Sequence, residues 1–274
     1  MTPALASVRQ TTRGVGAAVR LNLLVAAQYR ANMAVWSVAS LLQIVVYLSV
    51  WRAVAEAGGG TTGGYDAGSF AGYFLVLIVV RELTMTWMPW EFPGYVRKGS
   101  LAPLMLRPLH PIAYIGSGMV AYRLQSMAMT IPAAAVLFIG FDATIDSGLG
   151  ALAAAVVILP LASAVRFLAD SLLALTSMWL VRIDGIRGIY YLLLLLLGGQ
   201  FAPLAVLPEW LQAVAKALPF YWTLGYPTEL LVGRADVADA WIGAAVLGAW
   251  TLGLFAALRP TWRAGARAFE AVGS

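Results

Sequence analysis

Residues 33–51 read MAVWSVASLLQIVVYLSVW, an apolar run of 19 residues without a charged side chain. A helix needs about 20 mostly apolar residues to cross the roughly 30 Å hydrocarbon core of a bilayer, so this run predicts a membrane-spanning helix. Five further segments satisfy the same criterion. The sequence therefore predicts an all-α polytopic membrane protein, one transmembrane domain over residues 1–274. Its six spans are expected at 33–51, 69–90, 114–141, 150–181, 189–207 and 240–258.

The composition of the whole chain also favours a membrane protein. Of its 274 residues, 61% are hydrophobic and 11% are charged, whereas a soluble domain is about 25% charged. There is no Cys and a single His, His110, which excludes disulfides, thiolate chemistry and multi-His metal sites. We expect His110 to be a solvated loop residue, and we expect this chain to bind no metal and no cofactor of its own.

The distribution of Lys and Arg predicts the orientation. One set of loops carries 12 Lys and Arg, and the other set carries three together with eight acidic residues. Basic loops face the cytoplasm, so both termini are expected there, in a protein of the cytoplasmic membrane. Basic groups between apolar runs fit an anionic lipid surface and not a nucleic acid. The basic set comprises residues 1–32, 91–113, 182–188 and the cytoplasmic tail 259–274.

Two segments outside the spans have the pattern of membrane-surface helices. In residues 3–30, Arg9, Arg13 and Arg20 recur at helical spacing, which predicts an N-terminal interfacial helix; the alternative is an ordinary basic flank. Residues 208–228 contain apolar residues at helical spacing between two prolines. They predict short helices in the outer leaflet, because the helix between Pro208 and Pro219 is too short to span.

The loop at 91–113 contains a third amphipathic segment. Residues 91–111 read EFPGYVRKGSLAPLMLRPLHP, in which Leu101, Leu104 and Met105 recur at i, i+3 and i+4 after Ser100, a candidate helix cap. The pattern predicts a short cytoplasmic helix with an exposed apolar face. Such a face usually binds a partner protein. Arg97, Lys98 and Arg107 flank it.

Charged residues occur inside the predicted spans and are costly there, by about 2.5–3.5 kcal/mol each. Arg166 and Asp170 are four residues apart and can form an ion pair on one helix face; the functional alternative is a substrate path or proton relay. Arg81 and Glu82 are adjacent, point about 100° apart and need other partners, so structure and substrate path remain equal alternatives. Arg123, near the end of the third span, is expected to snorkel.

Aromatic and amide residues in and near the spans are weaker candidates for a substrate path. Trp36, Gln43 and Tyr47 lie in the first span and are candidates for a substrate path, although helix packing explains them equally well. Trp87 and Trp90 lie near a predicted interface, where aromatic belts are expected whatever the function.

Four stretches of the sequence are similar to those of a known protein family. They are YRANMAVWSVASLLQIVVYLSVW at 29–51, VRELTMTWMPWEF at 80–92, VRKGSLAPLMLRPLHP at 96–111 and WRAGARAFEAVGS at 262–274. The chain resembles the permease subunits of ABC-2-type transporters, in the branch that includes daunorubicin-resistance-type membrane proteins. The third stretch is the most specific, with Met105-Leu106 where the family commonly has two Leu. The resemblance implies a coupling helix that docks on a separate ATPase, built here from Arg97, Lys98, Gly99, Ser100, Leu101, Leu104, Met105 and Arg107.

These observations predict the permease subunit of an ATP-driven exporter that moves an amphipathic or lipophilic compound, such as a drug-like cation or a lipid, by alternating access. The chain has no Walker A motif and is not expected to be an enzyme by itself. ATP and Mg²⁺ would bind to two partner ATPase subunits, and a second permease chain, identical or homologous, would complete the complex. The alternative is an ion-coupled secondary transporter or channel that uses the intramembrane Arg, Glu and Asp charges.

Overall fold

The computed structural model describes residues 14, 16–17, 19–24, 30–180 and 182–272, with only the backbone described at 30–41, 44 and 270–272. The part it describes is helical, apart from loops and one isolated β-bridge between Thr62 and Tyr65. The helices are α1 (Arg30–Ala57), α2 (Ala67–Thr84), α3 (Met88–Arg97), α4 (Leu101–Met105), α5 (Pro111–Gly140), α6 (Leu149–Leu175), α7 (Asp184–Leu197), α8 (Glu209–Ala217), α9 (Pro219–Thr223), α10 (Gly225–Leu231) and α11 (Ala240–Val272). Short 3-10 turns occur at Thr176–Met178, Leu204–Val206 and Val237–Asp239.

Four stretches of the described chain are long and apolar enough to cross a membrane. They are Ala67–Arg97, Pro111–Gly140, Leu149–Met178 and Val237–Phe269, and they overlap the second, third, fourth and sixth predicted spans. The first predicted span lies within α1, whose side chains are described only in part. The all-helical class with several candidate spans is thus confirmed, and the number six stays a prediction.

The fifth predicted span, 189–207, differs from the observed helix. α7 has 14 residues and ends at Leu197, so it is about 21 Å long, shorter than the hydrocarbon core. Gly199 follows with a φ of +77°, a conformation that favours glycine and that turns the chain away from the helix axis. The hydroxyl of Tyr73 donates a bond of 2.9 Å to the carbonyl of Gly199, which anchors this turn on α2.

The N-terminal segment is described only in part. Residues 3–13, 15, 18 and 25–29 of the predicted interfacial helix 3–30 lie outside the described residues. Residues 19–24 are helical, and the side-chain amide of Asn22 donates to the hydroxyl of Ser117 at 3.3 Å. This segment therefore contacts α5, and its position at a membrane interface stays a prediction.

The acidic loops lie together at one end of the bundle, and the basic loops lie together at the other end. At the acidic end, the amide of Thr144 donates to the Gly68 carbonyl at 3.0 Å, and the amide of Asp146 donates to the Val232 carbonyl at 3.3 Å. Three short helices, α8 to α10, also lie in this part of the chain. At the basic end, the Arg187 guanidinium donates to the Pro89 carbonyl at 3.2 Å.

Each end has its own apolar core. The larger one is built around fully buried aromatic and aliphatic side chains of α2, together with residues of α6 and of the short helices. The smaller one, at the basic end, joins α3, α4, α5 and the end of α6 to α11. α11 reaches it because the helix continues through Pro260 to Val272, well past the predicted end of the last span at 258. Trp262 on this extension packs edge-on against Phe92.

Candidate functional site

A break in the second long helix lies beside the charged residues. α2 ends at Thr84, α3 starts at Met88, and residues 85–87 between them are not helical. Pro89 explains the break, because proline clashes with the carbonyl four residues earlier, here that of Met85, and offers no N–H donor. The predicted span 69–90 is therefore interrupted close to its end.

Arg123 on α5 pairs with the backbone exposed at this break. Its Nε donates to the Met85 carbonyl at 3.3 Å, and its Nη2 donates to the carbonyls of Met85 at 3.1 Å and Thr84 at 3.2 Å. The hydroxyl of Ser163 on α6 adds a bond of 2.7 Å to the carbonyl of Leu83. Unpaired carbonyls are costly inside a bilayer, so these side chains stabilise the break. The side chain of Arg123 is half-buried, and the expectation that it snorkels did not include these hydrogen bonds.

The predicted pair on α6 is close and buried. The Nε of Arg166 lies 3.0 Å from Oδ2 of Asp170, as the i, i+4 spacing allows. Thr86, inside the break, donates from its hydroxyl to the same Oδ2 at 2.7 Å. The Asp170 side chain is completely buried and that of Arg166 is 4% exposed. The pair therefore connects α6 to the break between α2 and α3.

The charges on α2 are arranged differently. Nη2 of Arg81 is 3.9 Å from Oε1 of Glu82, while Oε2 of Glu82 accepts a bond of 2.5 Å from the hydroxyl of Ser126 on α5. Nη1 of Arg81 donates to the Gln43 side chain on α1 at 3.4 Å. Its Nε is buried and has no hydrogen-bond partner among the described residues. Both residues thus use partners on other helices, and their pairing with each other is loose.

Arg81 and Arg166 line a single cavity of about 250 Å³, here called the cationic cavity. Its other residues are two amides, four aromatic rings and two apolar side chains. They are Gln43, Met85, Trp87, Trp90, Tyr122, Tyr191, Leu194 and Gln200. Glu82 and Asp170 are not among the lining residues, so the described part of the wall presents two guanidinium groups and no carboxylate.

The aromatic part of the wall is a connected set of rings. The ring centroids of Trp87 and Trp90 are 5.5 Å apart, those of Trp90 and Tyr191 4.5 Å, and those of Trp87 and Tyr122 5.9 Å. These separations are typical of favourable aromatic pairs. The two tryptophans line the cavity, and their predicted position near a membrane interface stays a prediction. Tyr122, Tyr191 and Gln200 carried no sequence signal that could have placed them there.

The three candidates on α1 separate in the structure. Gln43 lines the cationic cavity. Tyr47 accepts a bond of 3.4 Å from the Gln43 side chain and packs against Phe74, so it belongs to the larger core. The side chain of Trp36 lies outside those described.

The predicted coupling segment forms a helix, but its apolar face points inward. Leu101 is completely buried and Leu104 is 4% exposed, both in the smaller core. The expectation that these leucines are exposed was wrong, because α4 packs them against α5 and the end of α6. Met105 is half-buried, whereas Leu106, just after the helix, is 89% exposed.

The basic residues of this segment are also exposed. Arg97, Lys98 and Arg107 are exposed, and the Arg107 guanidinium lies 5.1 Å from the centre of the Tyr114 ring. Gly99 has a φ of +69°, which suits glycine at the tight turn between α3 and α4. Ser100 occupies the cap position without a capping hydrogen bond from its side chain.

His110 caps the next helix. Its Nδ1 accepts a bond of 3.3 Å from the amide of Ile112 at the start of α5, and its ring lies 4.4 Å from that of Trp262. His110 is exposed, as expected for a solvated residue, and partial desolvation by its neighbours lowers its pKa, which favours the neutral ring that this cap needs. The interpretation as a solvated loop residue missed this role.

A second polar pocket, of about 280 Å³, lies at the acidic end. Glu229 lies in it, with the exposed Lys216 and Arg234 also on its wall. The hydroxyl of Tyr221 donates to Oε2 of Glu229 at 2.6 Å. Burial raises the pKa of Glu229, while this hydrogen bond opposes the rise. In the described part of the chain, no three His, Asp or Glu side chains are grouped as metal ligands.

Comparison with known proteins identifies the family. The model of the family described as ABC-2 family transporter protein matches residues 33–273, which includes the cationic cavity, the break and the segment at 97–107. The searches of curated proteins and of solved structures found no match to the chain. The resemblance found from the four sequence stretches is thus confirmed. The chain belongs to the ABC-2 family of transporter proteins, as a multi-pass membrane permease.

Proposed function

We propose that this chain is the permease subunit of an exporter in the cytoplasmic membrane, working with two ATPase subunits and a second permease chain that is identical or homologous. Membership of the family implies ATP-binding-cassette partners. ATP and Mg²⁺ bind to those partners, and this chain supplies the path for an amphipathic or lipophilic substrate. Both termini lie in the cytoplasm, since the basic end faces it.

The surface of the α3–α4 segment is the observation that carries the proposal. Leu106 is 89% exposed, and Arg97, Lys98 and Arg107 of the same segment are exposed as well. An apolar side chain in a basic segment suits a groove with acidic edges on a partner. Leu101 and Leu104 of the same segment are buried in the smaller core. A displacement of Leu106 by a partner would therefore also move the residues of that core.

Few elements separate the surface at Leu106 from the cationic cavity. α4 follows α3, α3 begins at the break, and the break holds Thr86, which is bonded to Asp170, the partner of Arg166. A displacement of α4 toward or away from the bilayer thus changes the position of the cavity wall. We infer that approach of the two ATPases alternates the cavity between two openings, with the break as the hinge.

The cavity supports a role for a second permease chain. At about 250 Å³ it lies below the roughly 300–1,000 Å³ of drug-sized sites. It is lined by Gln43 of α1 and Tyr191 of α7, and the same helices expose Leu42 and Ile189, each 63% exposed. A second permease packed on this face would cover these side chains and enlarge the path.

The alternative of an ion-coupled transporter has less support. Proton coupling requires an acid that opens to water in one state. Asp170 is fully buried in an ion pair and Glu82 is bonded to Ser126, and neither lines the cavity.

A charge placed at Leu106 tests the proposed docking surface. Leu106→Asp should insert and fold normally, because the side chain is exposed, yet it should fail to co-purify with an ATP-binding-cassette protein from native membranes and should lose transport. Leu149→Asp is the matched control, since Leu149 is 85% exposed at the start of α6, at the acidic end, and should retain the partner. Undiminished co-purification and transport with Leu106→Asp would contradict the docking assignment.

A further inference from the structure

The charge of the cationic cavity limits what it can bind. Among the described residues of its wall, the two charged side chains are arginines, and a guanidinium stays protonated under all ordinary conditions. The two carboxylates close to these arginines are turned away from the cavity. Asp170 is held by Arg166 and Thr86, and Glu82 by Ser126. A cationic ligand would therefore meet guanidinium groups on the wall, while the carboxylates that pair with them lie outside it.

Arg81 is the residue that still has bonding capacity. Its nearest acidic oxygen is 3.9 Å away, its contact with Gln43 is long at 3.4 Å, and its Nε has no partner among the described residues. The hydroxyl of Tyr191, also on the wall, lies close to the Arg166 guanidinium, and its O–H has no acceptor among the described residues. Two donors without acceptors on one wall favour a ligand that brings acceptor oxygens.

The remaining wall favours an aromatic or apolar body on that ligand. Trp87, Trp90 and Tyr191 form the ring set described above, and Met85 and Leu194 add apolar surface. Flat rings and aliphatic chains stack on such surfaces, while carboxylate, sulfonate and phosphate groups match the fork of a guanidinium.

We propose that the cationic cavity binds organic anions: amphiphiles with a carboxylate, sulfonate or phosphate group on an aromatic or apolar body. The anionic group contacts Arg81, and the body lies against the tryptophans. This inference rests on the proposed function, for which it specifies the substrate class, and it replaces the drug-like cation considered from the sequence.

Two soluble probes with one body and opposite charges test this proposal: naphthalenesulfonate and naphthyltrimethylammonium. Their binding to the full chain in nanodiscs of zwitterionic lipid is measured by isothermal titration calorimetry. We expect the sulfonate to bind about tenfold more tightly than the ammonium ion, as one charge-assisted contact allows. Arg81→Gln should abolish this preference, Arg81→Lys should keep part of it, and Arg81→Glu should reverse it.

Arg52→Gln is the control, because Arg52 lies on α1 in an exposed pair with Glu56, and the preference should be unchanged. Gel filtration and thermal unfolding establish whether each variant is folded. If Arg81→Glu does not fold, the binding preference of Arg81→Gln alone tests the proposal. Equal or tighter binding of the ammonium ion, an unchanged preference in a folded Arg81 variant, or no binding of either probe would each overturn the proposal. Since the assay needs no ATPase, a failure here leaves the docking test with Leu106 unaffected, and the reverse also holds.

Discussion

The charged region of α6 and the charged region of α2 meet at one cavity but hold their arginines in different ways. On α6, Arg166 is 3.0 Å from Asp170 and both side chains are buried. On α2, Arg81 is 3.9 Å from Glu82, and its side chain is 17% exposed. Positions four apart on a helix share a face, whereas adjacent positions diverge by about 100°. The difference teaches that one spacing yields a neutralised pair and the other leaves an arginine available to a ligand.

The largest effect is expected from breaking the α6 pair. Asp170→Asn leaves the Arg166 charge buried without its partner, which should lower the free energy of unfolding by about 3–5 kcal/mol. The double variant Arg166→Gln with Asp170→Asn should regain most of that loss, because no unpaired charge remains. The yield of folded protein and the thermal unfolding temperature in detergent measure both. A double variant as unstable as Asp170→Asn alone would mean that the pair is not the cause.

An intermediate effect is expected at Arg123, which has carbonyl partners instead of an acid. Arg123→Gln removes charge-assisted hydrogen bonds to Thr84 and Met85 and should cost about 2 kcal/mol. Ser163→Ala, which removes one neutral bond to the same segment, should cost about 1 kcal/mol. Thermal unfolding of the two variants ranks them. If the serine variant is the less stable one, the arginine does not hold the break.

The smallest effect is expected from the α2 pair. Glu82→Gln keeps an acceptor for Ser126 and loses only the contact at 3.9 Å, so it should lower the free energy of unfolding by about 1 kcal/mol or less. The same thermal unfolding assay applies, with Asp170→Asn as the reference. A loss as large as that of Asp170→Asn would show that the two regions are equivalent after all.

The sequence predicted the features that depend on local spacing. The i, i+4 distance from Arg166 to Asp170 was sufficient to bring them together, and the pattern at 97–107 was sufficient for a helix. Periodicity predicted that Leu101 and Leu104 share one helix face. Whether that face is exposed or buried depends on the packing of α5 and α6 against it.

The cavity depends on contacts between distant parts of the chain. Gln43, Arg81, Arg166 and Tyr191 come from four helices, and no local pattern specifies that they meet. The break between α2 and α3 could have been predicted from the sequence, since Pro89 lies inside an apolar run and proline interrupts helices. That Arg123 would supply the missing donors could only follow from the packing of α5 on α2.

The short α7 has a consequence for the surrounding lipid. A helix of 14 residues covers about two thirds of a hydrocarbon core roughly 30 Å thick, and beyond its end the chain continues in the short helices α8 to α10. Trp210 and Val214 on α8 are exposed apolar residues. We expect the bilayer to thin beside a face of this length, at a cost that rises with each ångström of mismatch. The stability of this permease should then depend on the acyl-chain length of the surrounding lipid, independently of nucleotide or substrate.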